Sequence, residues 1–512
     1  MDDPKPSPSP PQHAARRRIL PLSGPSRILA IVVVCLLAVG PRPSRLTPAP
    51  NVVLISFDTL RADHLGCYGY ARRAVSPEID ALAKDSVLFE QHITAAPWTT
   101  PSHMSLFTSR SPTGHGITQS MGVLRIFFKN HQPYPALSTA QPTLPELLSR
   151  DGFASAAFTG DAMVDPSFGF GRGFVFYDTS MEKVDQANMD RMGAWLRARG
   201  TRPFFLFWHT YEVHAPYQDT RYLSEVTTPE QAAGIANDLS ALRGTRDAFA
   251  EVKILAAHKA FNREACTALY DGAVAASDRW LGELVRQLRE AGLYDQTVIV
   301  FTSDHGEQLG ERPSPPDAPG GGIHDTHGVS LYDELLRIPL LVKLPRQALG
   351  GRRVAALTRE VDVMPTLLEL LGIPPPTGIE GAPLQPFFGD GPPARERLAY
   401  SESLSIDEEK KSLRSARYKY ILGIDPRFVA SRGRSSIPKR PASRELYDLV
   451  ADPLEQHNLL AQDPPEHLEA LAQAMDAKLR AVNRAARSTD PLSQGTADPD
   501  VVERMRALGY VQ

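Results

Sequence analysis

The stretch Asn51-Val-Val-Leu-Ile-Ser-Phe-Asp-Thr-Leu-Arg-Ala-Asp63 decides how the rest of the chain is read. Val52 to Ile55 are apolar without interruption, and the run stops at Ser56-Phe57-Asp58-Thr59. A short, largely β-branched run suits a strand buried on both faces of a parallel sheet. In open α/β sheets the ligand site lies beyond the carboxyl ends of the strands. Asp58 stands where this strand should end, which makes it the first candidate metal ligand. A lone carboxylate there is more often a turn or cap residue. Its weight comes from repetition.

Pro203-Phe-Phe-Leu-Phe-Trp208 is another apolar run, followed by His209 and His214, and Thr297-Val-Ile-Val-Phe-Thr302 leads into Ser303-Asp304-His305-Gly306-Glu307. Phe153 to Thr159 and Ile338 to Leu344 read as further strands. Ser76-Pro77-Glu78 opens a helix with Ser76 as cap and proline in the first turn. Pro101 fits the first turn of a helix through Met104, Leu106 and Phe107, which places Thr99 and Thr100 at its N-terminus. Backbone N–H groups and the dipole favour an anion there, although two capping threonines are the simpler local reading. Gln231 to Ala291 is helix-rich, and Pro365 and Gly372 bracket another helix. From about 385 shorter alternating runs, Ser412 to Leu422 and Glu445 to Leu449, predict a small antiparallel sheet. A helix opening at Asp463-Pro464 carries Leu468, Leu471, Met475, Leu479 and Val482 on one face.

Composition sets bounds. The 512 residues allow two domains, or one large α/β domain with an appendage, and 42% apolar with 22% charged residues is a globular balance. A net charge of −3 gives no reason to expect a nucleic-acid partner. The basic loop Arg427 to Arg444 reads as a solvated insertion. Cys35, Cys67 and Cys266 cannot make a disulfide framework. Residues 1–27 read as a disordered basic N-terminus ahead of the apolar run Ile28 to Val39. That run is short for a membrane span of about 20 residues. With Arg16, Arg17, Arg18 and Arg27 before it and Ala38 and Gly40 behind, segment 28–40 resembles an export signal. Pro41 disfavours cleavage and leaves a retained anchor, with membrane association, as the alternative. Either way the remainder is expected outside the cytoplasm, periplasmic or extracellular.

Carboxylates and imidazoles without a nearby cysteine suit a hard or borderline divalent cation such as Ca²⁺, Mg²⁺, Mn²⁺ or Zn²⁺. Such an ion activates an adjacent hydroxyl, which a threonine needs because its free alcohol is a poor nucleophile. Histidines from a third strand, and from the segment after the Pro/Gly-rich loop Arg312 to Gly322, can hold anionic oxygens or protonate a leaving group. That loop is expected to act as a mobile lid. The constellation describes metal-assisted displacement on an anionic ester through a covalent intermediate on Thr99.

Asn51–Tyr70, Pro97–Ser109, Val300–Glu311, His327–Pro339, Val361–Gly381 and Glu445–Leu459 together resemble the sulfatase family, within the alkaline phosphatase superfamily. The resemblance implies an α/β fold with a large mixed, mostly parallel sheet sandwiched by helices. It also implies a catalytic domain over 50–384 and a smaller C-terminal subdomain over 385–512. The family nucleophile motif reads Cys (or Ser)-x-Pro-Ser-Arg, then Thr-Gly. Here it reads Thr99-Thr-Pro-Ser-His103, then Thr108-Ser109. Thr99 falls on the residue that sulfatases oxidise to formylglycine, and no formylglycine is expected from a threonine. A phosphorylated threonine is familiar elsewhere in the superfamily.

Calcium-holding sulfatases show Asp-Asp after the first strand and Asp-Asn after the later one, where this chain has Asp58-Thr59 and Asp304-His305. That pattern is similar to the phosphonate monoester and phosphodiester hydrolases. The implied metal ligands are Asp58, Thr99, Asp304 and His305. His214 falls on the histidine that contacts the transferred group's oxygens, and His327 lies where the family places a Lys or His near the leaving group. His103 replaces the motif arginine beside the nucleophile. His209, His324 and Asp325 are candidates for further metal ligands. The implied substrate is a small anionic ester, or a sulfated or phosphorylated glycan or lipid. Two alternatives stand beside hydrolysis: a phosphotransferase at the membrane surface, and an inactive anion-binding relative.

Overall fold

The main sheet has nine strands: β1 (Asn51–Phe57), β2 (Val87–Ile93), β3 (Ala154–Phe158), β4 (Phe176–Asp178), β5 (Phe204–Thr210), β6 (Thr297–Ser303), β7 (Arg337–Ile338), β8 (Leu340–Lys343) and β9 (Arg353–Arg359). The computed structural model describes residues 49–495 apart from 119–133, 161, 182, 242–253, 256, 261, 313–324, 389–396, 405–408, 426–437, 439–440 and 487–489. The signal or anchor segment 28–40, most of the basic loop, the lid residues 313–322 and His324 lie outside the described residues.

Strand order is β7–β2–β8–β6–β1–β5–β3–β4, with β9 pairing β2. β1 runs parallel between β5 and β6, with Phe57 opposite both Thr210 and Ser303. β8 is antiparallel to β6 and β2, so the sheet is mixed. Alternate residues of β1 feed two separate cores, Val53, Ile55 and Phe57 on one face, Val52 and Leu54 on the other. Full burial of such side chains contributes ~1.5–3 kcal/mol each, which fixes the strand at the centre. Helices α1 (Pro77–Lys84), α2 (Thr99–Thr108), α3 (Gln186–Ala198), α4 (Arg263–Glu290) and α5 (Val363–Leu370) complete the sandwich. Residues of α1, α3 and α4 lie in the first core, and those of α2 and α5 in the second.

A second sheet, β10 (Ala399–Leu404), β11 (Glu409–Arg414), β12 (Tyr418–Ile424) and β13 (Ser443–Asp448), is an antiparallel meander. The apolar stripe of α6 (Glu466–Ala486) packs on it through Ala472, Met475 and Leu479. Its other face meets the main sheet through Ile93, Leu357, Ile421 and Tyr447. The Glu402 N–H donates to the Ala95 carbonyl at 3.0 Å, tying β10 to the segment leading into α2.

Two expectations are corrected. Ser76 occupies the cap position of α1, yet its hydroxyl turns to Asp80 at 3.2 Å. The Asp278 carboxylate on α4 caps instead, accepting from the Glu78 and Ile79 N–H groups at 3.1 and 2.8 Å, because its two oxygens serve two donors at once. The strand expected over Ile338 to Leu344 is split at Pro339, which has no N–H for the ladder. Neither β2 nor β9 was foreseen; Glu90-Gln91-His92 and the arginines at both ends of β9 mask their pattern. Among the described residues no disulfide joins Cys67 and Cys266.

Candidate active site

Three neighbouring strand ends and one helix mouth build the site. The Asp58 N–H still donates to the Thr210 carbonyl at 3.1 Å, one residue past β1. Thr59 then turns into the left-handed region, φ 57°, and ends the strand. At the end of β6, Asp304 Oδ1 accepts from the N–H groups of His305 (2.8 Å) and Thr59 (3.2 Å). One carboxylate oxygen is thereby spent on backbone, and the other, Oδ2, has no hydrogen-bond donor. Gly306 is required next: a Cβ there would lie 2.0 Å from the Glu334 carbonyl.

α2 begins at Thr99, its first turn closed by the Ser102 N–H to the Trp98 carbonyl at 3.1 Å. Its C-terminus is held by Ser109 at φ 56°, where the family motif has glycine, and the Ser109 hydroxyl donates to the Val361 carbonyl at 2.6 Å. That bond offsets the strain of the left-handed position.

Thr99 Oγ1 lies 3.3 Å from Asp58 Oδ2 and 3.4 Å from His305 Nε2. His305 Nε2 is in turn 3.4 Å from Asp304 Oδ2 and 3.9 Å from Asp58 Oδ1. The donor atoms of Asp58, Asp304 and His305 all lie within 4.8 Å of one another. Every one of these residues is buried.

Hydrogen bonds fix the histidine tautomers. Nδ1 of His305 faces the Gly306 carbonyl at 2.9 Å, and Nδ1 of His209 faces the Ser56 carbonyl at 3.0 Å. A carbonyl can only accept, so the proton sits on Nδ1 and each Nε2 presents a lone pair. His209 Nε2 meets Asp58 Oδ2 at 3.6 Å with no hydrogen bond of its own. Lone pairs facing carboxylate oxygens in a buried site repel unless a cation lies among them. A backbone-anchored Nδ1–H is also the usual outer support of a metal-binding imidazole. The donor set therefore fits a divalent ion.

Electrostatics agree. Burial pushes His305 down to about 4 and His209 to about 3, so both are neutral, ligand-ready rings. Burial works to raise the Asp304 carboxyl, but the rings of His305, His103 and His209 hold it well below the usual carboxylate range. His103 is placed differently. Its Nδ1 donates to the Thr99 carbonyl at 2.9 Å and its Nε2 accepts from the Ser56 hydroxyl at 3.0 Å, pinning the first turn of α2 to β1.

At the mouth, His327 stacks on Trp98 with centroids 5.1 Å apart and stands 4.6 Å from the His305 ring and 5.1 Å from that of His214. Both oxygens of Glu307 lie at its Nδ1, 3.1 and 3.2 Å away. Burial alone would lower the His327 pKa, but the Glu307 carboxylate more than offsets it and the net shift is upward. His214 Nδ1 donates to the Ala215 carbonyl, leaving a buried Nε2 without a partner; burial holds this ring down to about 3. Lys183 secures the turn bearing His214 through the carbonyls of Tyr211 (2.7 Å), His214 (3.0 Å) and Glu212 (3.3 Å).

The structure thus brings Asp58, Thr99, Asp304 and His305 together, with His209 and His103 against them and His214 and His327 at the rim. Asp325 pairs with Leu309 in a two-stranded ribbon. Sequence reasoning missed Glu307, Trp98 and Lys183 as site residues. For Glu307 the signal was available: it is a carboxylate in the same post-strand segment as Asp304.

The Sulfatase family model matches residues 50–373, and one described as N-sulphoglucosamine sulphohydrolase, C-terminal, matches residues 324–485. An ulvan-active sulfatase of Formosa agariphila is 27% identical over 84% of this chain and 80% of its own length. The steryl-sulfatase of Rattus norvegicus is 25% identical over 86% of this chain and 89% of its own. The solved phosphonate monoester hydrolase of Agrobacterium radiobacter superposes with a TM-score of 0.61 at 21% identity, covering 85% of this chain and 96% of that one, a likeness of fold. The site grows from the strand ends that the first of these family matches spans, and the chain belongs to the sulfatase family of hydrolases.

Proposed function

We propose that the protein is an exported, metal-dependent hydrolase that cleaves a sulfate or similarly anionic phosphate or phosphonate ester through a covalent intermediate on Thr99. One observation carries the reading: the Thr99 hydroxyl stands at a helix N-terminus within 3.4 Å of both Asp58 Oδ2 and His305 Nε2. Asp58, Asp304, His305 and the Thr99 oxygen would hold the divalent ion. When bound, that ion supplies Lewis-acid stabilisation of the anionic oxygens and acidifies the adjacent hydroxyl.

The remaining work falls to the protein. Thr99 Oγ1 attacks sulfur or phosphorus while the ester oxygen opposite departs, and the hydroxyl proton passes to Asp58 Oδ2. The α2 N-terminus stabilises charge on the transferred group. His214, charged when an anionic ester enters beside it, holds a non-bridging oxygen. His327, kept protonated by Glu307, gives its proton to the leaving oxygen. In the second half, His327 takes a proton from the attacking water. Thr99 leaves as the alcohol once Asp58 returns its proton. His103 and Lys183 position Thr99 and His214.

The ulvan-active and steryl-sulfatase relatives support a sulfate ester as first choice, on a glycan or an apolar ring alcohol. Export rests on segment 28–40; among the described residues no helix is long and apolar enough to cross a membrane. The test is acid quench of the enzyme during turnover of a nitrophenyl ester, with mass spectrometry of the peptide bearing Thr99. An adduct on Thr99 is expected. Turnover with no adduct on any trapping time and full activity in Thr99→Ala would overturn the reading, and binding without turnover would favour an inactive relative.

A further inference from the structure

The turn that ends β1 is held from outside the sheet by a residue with no place in the chemistry above. Tyr270, on α4, is fully buried. Its phenol oxygen accepts from the Arg61 N–H at 2.8 Å and donates to the Thr59 carbonyl at 2.8 Å. These two bonds bracket the segment Thr59 to Arg61, whose first residue adopts φ 57° although it is a β-branched threonine. Such a conformation persists only where surrounding contacts over-determine it.

Arg61 also anchors the turn through Asp63, Glu311 and the Glu307 carbonyl, and Leu60 packs in the core, but the remaining bonds of the turn lead to the proposed metal ligands. The Thr59 N–H donates to Asp304 Oδ1 at 3.2 Å, and the Thr59 hydroxyl donates to the Asp58 carbonyl at 2.8 Å. The Leu60 N–H donates to Ser303 Oγ at 3.0 Å, and Ser303 Oγ donates to the His305 carbonyl at 2.7 Å. The turn therefore couples the peptide after Asp58 to the peptides around Asp304 and His305. If it relaxed, Asp58 would lose its aim, and Asp304 Oδ1 would lose the N–H that keeps Oδ2 turned toward the site.

We propose that Tyr270 is a positioning residue for the divalent ion: its phenol locks the strained Asp58–Arg61 turn and thereby sets the affinity of the Asp58/Asp304/His305 donor set. The inference rests on the metal reading of that set. Tyr270 touches neither the ion's donor atoms nor the ester, so its loss is felt in metal binding rather than in chemistry once the ion is in place. Removing one oxygen leaves the Thr59 carbonyl and the Arg61 N–H unpaired in a buried site, and the threonine returns to a less strained backbone.

The experiment titrates full-length, chelator-treated protein with Mn²⁺ alone, following bound ion by electron paramagnetic resonance, for wild type and Tyr270→Phe. The proposal expects the Mn²⁺ Kd of Tyr270→Phe to be at least fivefold weaker, with kcat at saturating Mn²⁺ within threefold of wild type. A Kd change under fivefold overturns it, as does a loss of kcat that saturating Mn²⁺ does not restore. Should Tyr270→Phe fail to fold, Tyr270→Phe/Thr59→Gly is compared with Thr59→Gly, since glycine removes the backbone strain. The double variant must then bind Mn²⁺ at least threefold more weakly than Thr59→Gly, and a smaller difference overturns the proposal. Wild type that takes up no Mn²⁺ would sink the metal reading itself. Wild-type binding with an unaffected Tyr270→Phe would sink only the role of the tyrosine.

Discussion

Thr99 Oγ1 lies 3.3 Å from Asp58 Oδ2, although 41 residues separate them in the chain. β1 delivers the carboxylate and α2 delivers the hydroxyl. His103 ties the two elements together between the Thr99 carbonyl and the Ser56 hydroxyl. That pairing places a carboxylate oxygen beside the hydroxyl, which is the arrangement the proposed nucleophile needs.

Replacing Thr99 by alanine should lower kcat by on the order of 10³-fold or more, because covalent chemistry loses its attacking atom. Thermal denaturation should show a folded protein of near wild-type Tm. Thr99→Ser should keep a substantial part of the activity, measured as steady-state release of nitrophenol from its sulfate ester.

Chelation should abolish turnover, and Mn²⁺ or Zn²⁺ should restore it better than Ca²⁺, as expected of a donor set with an imidazole. Metal added at ~100 times its Kd should stabilise the fold by ~2.7 kcal/mol, read as a rise in Tm. Asp304→Asn should remove most of that rise. A Tm indifferent to every divalent ion would contradict the assignment.

His327 and Glu307 should matter in proportion to the difficulty of the leaving group. His327→Gln and Glu307→Gln should each cost on the order of 10²–10⁴-fold with an alkyl ester, whose oxygen needs a proton. Nitrophenyl esters need little help, and the same variants should lose less than about tenfold with them. Equal losses on both would show that the pair only shapes the mouth.

Asp278 gives a pH-dependence remote from the site. Burial raises its carboxyl to about 7 although it caps α1 through the Glu78 and Ile79 N–H groups. A folded pKa above the unfolded value means that the protonated form is the one favoured in the folded state. Its contribution is full below about pH 4 and is lost as pH rises through about 7. The Tm of wild type relative to Asp278→Asn should therefore be higher at pH 5 than at pH 8, by the equivalent of ~2 kcal/mol. The same offset at both pH values would refute the shift.

Much of the architecture is legible in the chain because burial on both faces leaves a mark. Val52–Ile55, Phe204–Trp208 and Val298–Phe301 have near-continuous apolar texture, and each lies in a fully buried strand. Strands without that texture were hidden: β2 carries Glu90-Gln91-His92 in its middle, and β9 opens and closes on arginine. The cap of α1 was misread for a related reason. Ser76 is the right residue type in the right place, but Asp278, 200 residues from Glu78, reaches the same donors.

By itself the sequence determined which residue types stand at the strand ends, and so made Asp58, Asp304 and His305 the candidate donors and Thr99 the candidate hydroxyl. Local apolar runs set strand ends, and strand ends set these positions. Only the tertiary structure decided which atoms face inward. Asp304 turns Oδ2 to the site because the Thr59 and His305 N–H groups occupy Oδ1, and the imidazoles present Nε2 because backbone carbonyls take Nδ1. It likewise decided that Glu307 serves His327 and that Tyr270 clasps the turn after Asp58. Such choices depend on partners brought together by sheet register and helix packing, and no local pattern encodes the partner of a hydrogen bond formed across two hundred residues.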